Sequence, residues 1–210
     1  MEHQFWHEKW EADQIPFHRG DVNPVLTNNW RALEAPAGGK VLLPLCGKTR
    51  DLAWLTAQGH QALGVELSEI AVRAFFEENG LVVTREQAGP FIRYHAEQVE
   101  YLCGDFFALQ PEHLDGVVAV YDRAALIALP PPLRAQYAAK MWTLLQPGVE
   151  VLLVTISYQD GQINAPPFRV LHAEVEALYA PWCAVELLEE SADDVKGHLC
   201  PQFAYRLQVR

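Results

Sequence analysis

The stretch VLLPLCGKTRDLAWLTAQGHQALGVELS, residues 41–68, decides the fold of this chain. It begins as an apolar run, turns at Cys46-Gly47, continues in a helical pattern over 49–58, and ends with a second apolar run that stops at Glu66. Apolar runs without alternation are typical of strands that are buried on both faces. The order strand, glycine turn, helix, strand therefore predicts a β–α–β unit with parallel strands.

The spacing of one glycine and one acid in this unit predicts a nucleoside site. Gly47 lies where the backbone can approach a ligand closely. Glu66 follows it by 19 residues, at a strand tip where a carboxylate can accept hydrogen bonds from ribose. The turn lacks the Gly-x-Gly-x-x-Gly pattern of pyrophosphate binding, which favours a nucleoside cofactor such as S-adenosylmethionine. An ordinary turn followed by an exposed glutamate is the alternative.

The rest of the chain continues the alternation of strands and helices. Strands are predicted at 40–45, 61–66, 99–103, 116–121 and 149–156, with helices at 49–58, 68–79 and 133–145. The tail, in contrast, holds strands at 182–190 and 199–209 with no helix between them, which predicts an antiparallel hairpin at the sheet edge. These elements make an α/β fold with a doubly wound, mostly parallel, seven-stranded sheet.

The chain is interpreted as one domain, residues 1–210. Residues 1–35 form an N-terminal helical lid, with helices at 2–11 and 25–34, and residues 36–210 form the α/β core. An insertion at 81–98 has β-like character in LVVT and FIRYH.

Composition narrows the class of protein. The chain has 210 residues, a net charge of −11 and a sequence pI near 5.1, so it lacks the clustered cations that a nucleic-acid backbone requires. Neither a signal peptide nor a membrane-spanning apolar run is recognisable, and the four separated cysteines have no zinc spacing. We expect a cytoplasmic monomer with a small-molecule partner, without nucleic acid, membrane or metal.

Two further strand tips carry polar residues. Gly104 and Asp105 follow the third strand and could receive a purine ring, although a simple Gly-Asp turn would look the same. Asp122 and Arg123 end a strand that should be central, where charged side chains either pair with each other or face a ligand. The Arg123 guanidinium could hold an anionic substrate.

The aromatic N-terminal segment predicts a cover for the site. Trp10 and Phe17 are the candidates for lining a pocket beneath it, although aromatic residues could also simply cap the sheet. His3, His7 and His18 lack a recognisable third metal ligand and are interpreted as surface histidines. Phe168, in the proline-stiffened loop after the fifth strand, could touch substrate, but a plain connector is the commoner case.

Taken together, these motifs resemble a known family. FWHEKW, PFH, LLPLCGKTRDLAWLTAQGHQALGVELSEIAV, VYDRAALIALPP and SYQDGQINAPPFRVLHAEVEALY occur in this order and are similar to the thiopurine S-methyltransferase family in its short bacterial form. The resemblance implies the Rossmann-like fold of class I S-adenosylmethionine-dependent methyltransferases. It also implies methyl transfer to the sulfur of aromatic or heterocyclic thiols, and relatives are linked to selenium and tellurium oxyanions and so to tellurite resistance.

The resemblance also implies roles for single residues. Cofactor contacts fall on Trp10, Leu45, Glu66 and Arg123, with Gly104 and Asp105 at the adenine-contacting turn, where Asp105 departs from the family's apolar residue. Phe17 matches a substrate-pocket aromatic, and Phe168 is a second substrate candidate. Arg123 and Asp122 are expected to position the reactants rather than to act as acid or base. A nicotinamide-dependent oxidoreductase and a non-catalytic binding module are the competing interpretations.

Overall fold

The computed structural model describes residues 3–210, which build one nine-stranded sheet with helices on both faces. The sheet order is β3-β4-β5-β2-β1-β6-β7-β9-β8. The strands are β1 (Lys40–Pro44), β2 (Gln61–Glu66), β3 (Thr84–Ala88), β4 (Phe91–Ala96), β5 (Val99–Cys103), β6 (Val117–Asp122), β7 (Glu150–Ile156), β8 (Cys183–Val195) and β9 (His198–Val209). The helices are α1 (His3–Glu11), α2 (Pro24–Asn29), α3 (Asp51–Ala57), α4 (Glu69–Glu78), α5 (Ala125–Ala128), α6 (Pro131–Leu144) and α7 (His172–Tyr179).

Five neighbouring strands, β5, β2, β1, β6 and β7, run parallel. In β1 the register pairs Lys40 with Gln61 and Pro44 with Val65, so the two strands end side by side. All seven residues of β7 are buried, as expected for a central strand covered on both faces. The carboxyl ends of the five strands therefore meet at one edge, which is where a doubly wound sheet places a ligand.

Two apolar cores flank the sheet. Side chains alternate along β1, so that Leu42 packs toward α5, α6 and α7, while Val41 and Leu43 pack toward α2, α3 and α4. Burying such a side chain stabilises the fold by about 1.5–3 kcal/mol each. Helices on opposite faces confirm the doubly wound arrangement.

The sheet has two strands more than the seven expected. They are β3 and β4, which lie in the insertion at 81–98 and pair antiparallel with each other and with β5. The FIRYHA segment buries Phe91, Tyr94 and Ala96, and it extends the sheet beyond its parallel part. The fold class is unchanged, because the added strands lie outside the parallel centre.

Two other elements differ by more than two residues from the sequence-based expectation. β8 runs to Val195 rather than 190, and the 25–34 helix is the short α2 followed by a 3₁₀ turn over Trp30–Leu33. α1 covers the predicted 2–11 helix from residue 3 onward, and residue 2 lies outside the described residues. Within residues 3–210, no helix combines the length and the apolarity that crossing a bilayer needs.

Candidate active site

A cavity of about 450 Å³ lies beyond the carboxyl ends of the five parallel strands. We call its strand-tip side the floor, made of residues 45–49, 65–67, 104–107 and 122–124. We call its cover the roof, made of residues 3–21, 157–171 and 193–198. Both sides contribute lining residues, and the volume falls within the range of small-molecule sites.

The turn after β1 holds its shape through two left-handed residues. Leu45 has φ +49° and Gly47 has φ +57°, and both line the cavity. A Cβ at Gly47 would lie 3.1 Å from Cζ2 of Trp10, so the glycine lets the roof helix α1 approach the floor. Trp10 is itself buried and lines the cavity. The turn and the roof are thus in direct contact.

Glu66 locks the tips of β1 and β2 together. One carboxylate oxygen accepts a hydrogen bond from the backbone N–H of Gly47 and the other from that of Ser68, each at 2.8 Å. The side chain is 7% exposed, so the exposed-glutamate alternative is wrong. Burial raises the pKa of this carboxyl, and the backbone N–H groups of Ser68, Gly47 and Leu67 oppose that rise. Each oxygen keeps a second lone pair for a hydroxyl donor.

The tip of β5 brings a glycine and an acid to the floor. Gly104 and Asp105 both line the cavity. A Cβ at Gly104 would lie 2.7 Å from Cδ1 of Phe91, so packing against β4 already requires glycine here. Asp105 accepts the backbone N–H of Phe107 through one oxygen, and its other oxygen lies 3.6 Å from Nε2 of His3 in the roof.

The two charged residues at the tip of β6, Asp122 and Arg123, have different surroundings. Asp122 is buried and does not line the cavity. Its carboxylate accepts hydrogen bonds from Tyr137 Oη at 2.7 Å and from two backbone N–H groups at the start of α5. Burial raises its pKa to about 6. Arg123 lines the cavity and, among residues 3–210, its guanidinium has no ion-pair or hydrogen-bond partner. The local Asp122–Arg123 ion pair weighed as an alternative is therefore absent from the described structure.

Aromatic rings and polar bridges make the roof. Phe17 packs edge-on against Trp6 and Trp10, with ring centroids 5.6 and 5.7 Å away. Arg19 reaches across to Asp193 of β8 with a contact of 2.8 Å. These contacts join the N-terminal segment to the C-terminal hairpin, and each of the five residues lines the cavity.

The structure thus brings most of the predicted site residues to one cavity, namely Trp10, Phe17, Leu45, Glu66, Gly104, Asp105 and Arg123. Asp122 and Phe168 do not join them. Phe168 lines a second hollow of about 410 Å³ beside α6, because Tyr158 donates to the carbonyl of Pro167 and turns the loop there. Pro166 and Pro167, rather than Phe168, reach the main cavity.

Several lining residues escape the sequence analysis. Lys48 follows the turn glycine, and Asp193, Lys196 and Gln202 come from the hairpin. The interpretation of His18 as a surface histidine is wrong, because its side chain is partly buried and lines the cavity. The hairpin signal is Lys196-Gly197 between paired Val195 and His198, a two-residue turn with φ +55° and +79°. Within residues 3–210, no group of three His, Cys, Asp or Glu side chains is arranged to hold a metal ion.

The sequence of this chain matches a known family. The family described as "Thiopurine S-methyltransferase (TPMT)" matches residues 1–202. The thiopurine S-methyltransferase of Pseudomonas fluorescens (strain Pf0-1) is 49% identical over 197 residues, covering 94% of this chain and 89% of that protein. That of Pseudomonas entomophila (strain L48) is 45% identical and covers 99% of both chains.

Solved structures share the fold. A Burkholderia thailandensis 1,6-didemethyltoxoflavin-N1-methyltransferase, solved with S-adenosylhomocysteine, has a TM-score of 0.66 at 17% identity and covers 99% of this chain and 87% of its own. An S-adenosylmethionine-dependent methyltransferase from Anabaena variabilis has a TM-score of 0.68 at 15% identity, with 99% and 95% covered. From the family match and the similarity to its members, this chain belongs to the thiopurine S-methyltransferase family of S-adenosylmethionine-dependent methyltransferases.

Proposed function

We propose that this protein transfers a methyl group from S-adenosylmethionine to the sulfur of an aromatic or heterocyclic thiol such as a thiopurine. The observation that carries the proposal is the pairing, in one cavity, of a buried carboxylate at the β2 tip with an aromatic roof and the unpartnered Arg123. The names of the similar enzymes support the same substrate class.

The floor residues fit the cofactor. Glu66 retains lone pairs for the ribose hydroxyls, Leu45 offers backbone and apolar surface, and Gly104-Asp105 offers a place for the adenine edge. Trp10 supplies an indole face that attracts positive charge. When bound, S-adenosylmethionine supplies an activated methyl group on a cationic sulfur.

The roof suits a flat acceptor. Trp6, Trp10 and Phe17 provide aromatic surface against which a heterocycle can pack, and Arg123 provides a fixed positive charge for a thiolate. These residues orient the acceptor and exclude water, which is the main contribution a protein can make to a displacement at an activated carbon. Asp122 contributes indirectly, since it accepts the first backbone N–H groups of α5, which begins two residues after Arg123.

A panel of acceptors tests the substrate class. Turnover of thiopurines and benzenethiols with S-adenosylmethionine is expected, while NAD should not bind in parallel calorimetry. Selenite and tellurite belong in the panel because the Arg123 guanidinium would also attract an oxyanion. Binding of S-adenosylmethionine without turnover of any acceptor would favour the binding-module interpretation instead.

A substitution tests the role of Arg123. Arg123→Ala should lower kcat/KM for thiols by about 10- to 100-fold with little change in melting temperature, because the residue has no described partner in the protein. Arg73→Ala, on the exposed face of α4, is the matched control and should leave both quantities unchanged. A large loss of stability with normal turnover would assign Arg123 a structural role.

A further inference from the structure

An acceptor thiol that is protonated at neutral pH must lose its proton before its sulfur attacks. The acids of the cavity are already engaged. Glu66 accepts two backbone N–H groups, Asp105 accepts one and faces a histidine, Asp193 binds an arginine, and Asp194 accepts a backbone N–H. Each of these carboxylates is therefore already held by at least one hydrogen bond or ion pair of the protein.

The lysines of the cavity are also engaged, in their case as hydrogen-bond donors or as the cation of an ion pair. Lys9 donates to a glutamine, Lys48 pairs with Glu78, and Lys196 donates to two backbone carbonyls. Burial raises the pKa of the Cys46 thiol well above its usual value, so that group stays protonated as well.

His18 is different. It is partly buried, follows Phe17 in the roof, and lines the same cavity as Arg123. Among residues 3–210 its ring nitrogens make no hydrogen bond; only its backbone N–H is engaged, with Ile15. A partly buried imidazole with both nitrogens uncommitted, at a cavity wall, is placed to exchange a proton with a bound molecule.

Burial, together with charged neighbours, keeps this imidazole neutral. Lys48 and Arg50 face it from the turn after β1, Arg123 from the tip of β6, and Glu78 from the end of α4. Burial and the three cations lower the pKa of His18, and Glu78 alone opposes them. The unprotonated ring is therefore the form present at neutral pH, and it is the form that can accept a proton.

We propose that His18 accepts the proton of the acceptor thiol while Arg123 holds the resulting thiolate; this rests on the function proposed above. The S–H bond breaks, its proton moves to an unprotonated imidazole nitrogen, and the electron pair stays on sulfur. The imidazolium later releases the proton to water. His18 is thereby a catalytic residue for weakly acidic thiols and dispensable for thiols that are ionised in solution.

The test compares His18→Gln with wild type across thiols of graded acidity. For a weakly acidic thiol such as benzyl mercaptan at pH 6.5, kcat/KM should fall about 100-fold, the usual size of a lost general base. For the acidic 4-nitrobenzenethiol it should change less than about threefold, since no proton remains to be removed. His7→Gln, in the roof helix α1 but outside the cavity lining, is the control.

A measurement without the methyl donor separates this inference from the proposed function. Ultraviolet absorbance of a bound benzenethiol reports its ionisation, and wild type should ionise it at a lower pH than His18→Gln does. In turnover of a weakly acidic thiol, the acidic limb of the wild-type pH profile should lie below about pH 6.5, the ordinary pKa of histidine, and in the variant it should move up to the pKa of the thiol itself.

The outcomes are distinct. An equal loss for all thiols, or unchanged ionisation of the bound thiol, overturns the role of His18 while leaving thiol methylation in place. Failure of the wild-type protein to bind or methylate any thiol overturns the proposed function and this inference together. His18→Asn provides a second variant should His18→Gln misfold.

Discussion

The floor and the roof of the cavity are built by different physical means. The floor is held by backbone geometry and buried hydrogen bonds, as where Glu66 joins Gly47 to Ser68. The roof is held by side chains that meet across the whole length of the chain, as where Arg19 meets Asp193, 174 residues away. Both partners of that pair keep some exposure to solvent, whereas Glu66 is buried.

The difference separates two tasks. Buried, backbone-bound groups hold one geometry and are costly to disturb, which suits a site that must present a cofactor in a fixed orientation. Partly exposed ion pairs contribute little free energy and open readily, which suits a cover that must admit one small molecule and release another. Substitutions in the floor should therefore change stability and cofactor affinity. Substitutions in the roof should change the rates at which small molecules enter and leave the cavity.

Among the substitutions considered, Glu66→Ala is expected to have the largest effect on the floor. It leaves two backbone N–H groups without acceptors, which should lower the free energy of unfolding by about 2–4 kcal/mol. Affinity for S-adenosylmethionine should fall at least about tenfold, as expected for loss of a charged hydrogen-bond acceptor. Urea unfolding and calorimetry measure the two effects, with Glu66→Gln as the variant that retains one acceptor oxygen. Unchanged cofactor affinity in a destabilised Glu66→Ala protein would restrict this residue to a structural role.

A pH titration probes the floor at Asp122. Its pKa is raised to about 6 in the folded protein, chiefly by burial, against an ordinary value of 3.8. Between these values the native state binds more protons than the unfolded state, so stability should fall as pH rises from 4 to 6, by an amount on the order of 2–3 kcal/mol.

Asp122→Asn removes that titration. The difference in unfolding free energy between wild type and variant should therefore vary with pH across this window and be constant above pH 7. Chemical unfolding of both proteins at a series of pH values measures this difference in free energy. A difference that does not change from pH 4 to 7 would contradict a raised pKa of Asp122.

Gly47→Ala tests where floor and roof touch. Gly47 and Gly59 both have positive φ, so alanine at either should cost about 1–2 kcal/mol of stability. Only at Gly47 would the new methyl group press on Trp10, since nothing lies within 4 Å of a Cβ at Gly59. Cofactor affinity by calorimetry should therefore fall in Gly47→Ala and stay at the wild-type value in Gly59→Ala; a fall in both variants would mean that strain in the β1–β2 unit, rather than Trp10, is responsible.

The smallest effect belongs to the roof pair. A double-mutant cycle with Arg19→Met and Asp193→Asn should give a coupling of about 0.5–1 kcal/mol in unfolding free energy, which salt near 1 M should abolish. Stopped-flow release of S-adenosylhomocysteine should become faster in either variant. Release at the wild-type rate would show that this pair does not hold the roof closed.

Local sequence signals predict more of the floor than of the roof. The apolar runs and the position of Glu66 predict the β1–α3–β2 unit, because each is decided by neighbours in the chain. The role of Asp122 depends on Tyr137 in a different element, which no local pattern reveals. A strand tip with a charge looks the same whether the charge faces a ligand or caps a helix.

The missed roof residues have a similar cause. His18 gains its surroundings from Lys48 and Arg123, far along the chain, so the dipeptide Phe17-His18 alone does not distinguish it from a surface histidine. The direction of the loop around Phe168 depends on tertiary contacts of Tyr158. The hairpin was recognised but shortened, although the turn at Lys196-Gly197 carried a local signal for its full length.

The edge strands of the nine-stranded sheet also affect whether two copies of the protein can associate through their sheets. The two edge strands are β3, which exposes Arg85 and Glu86, and β8, which exposes Glu186 and Glu190. An edge strand presents unpaired amide and carbonyl groups that can recruit a foreign strand, and charged side chains along it make such recruitment unfavourable. The extra hairpin thus moves one open edge from β5, which is mostly buried, to a strand with charged side chains, where pairing with a foreign strand is less favourable.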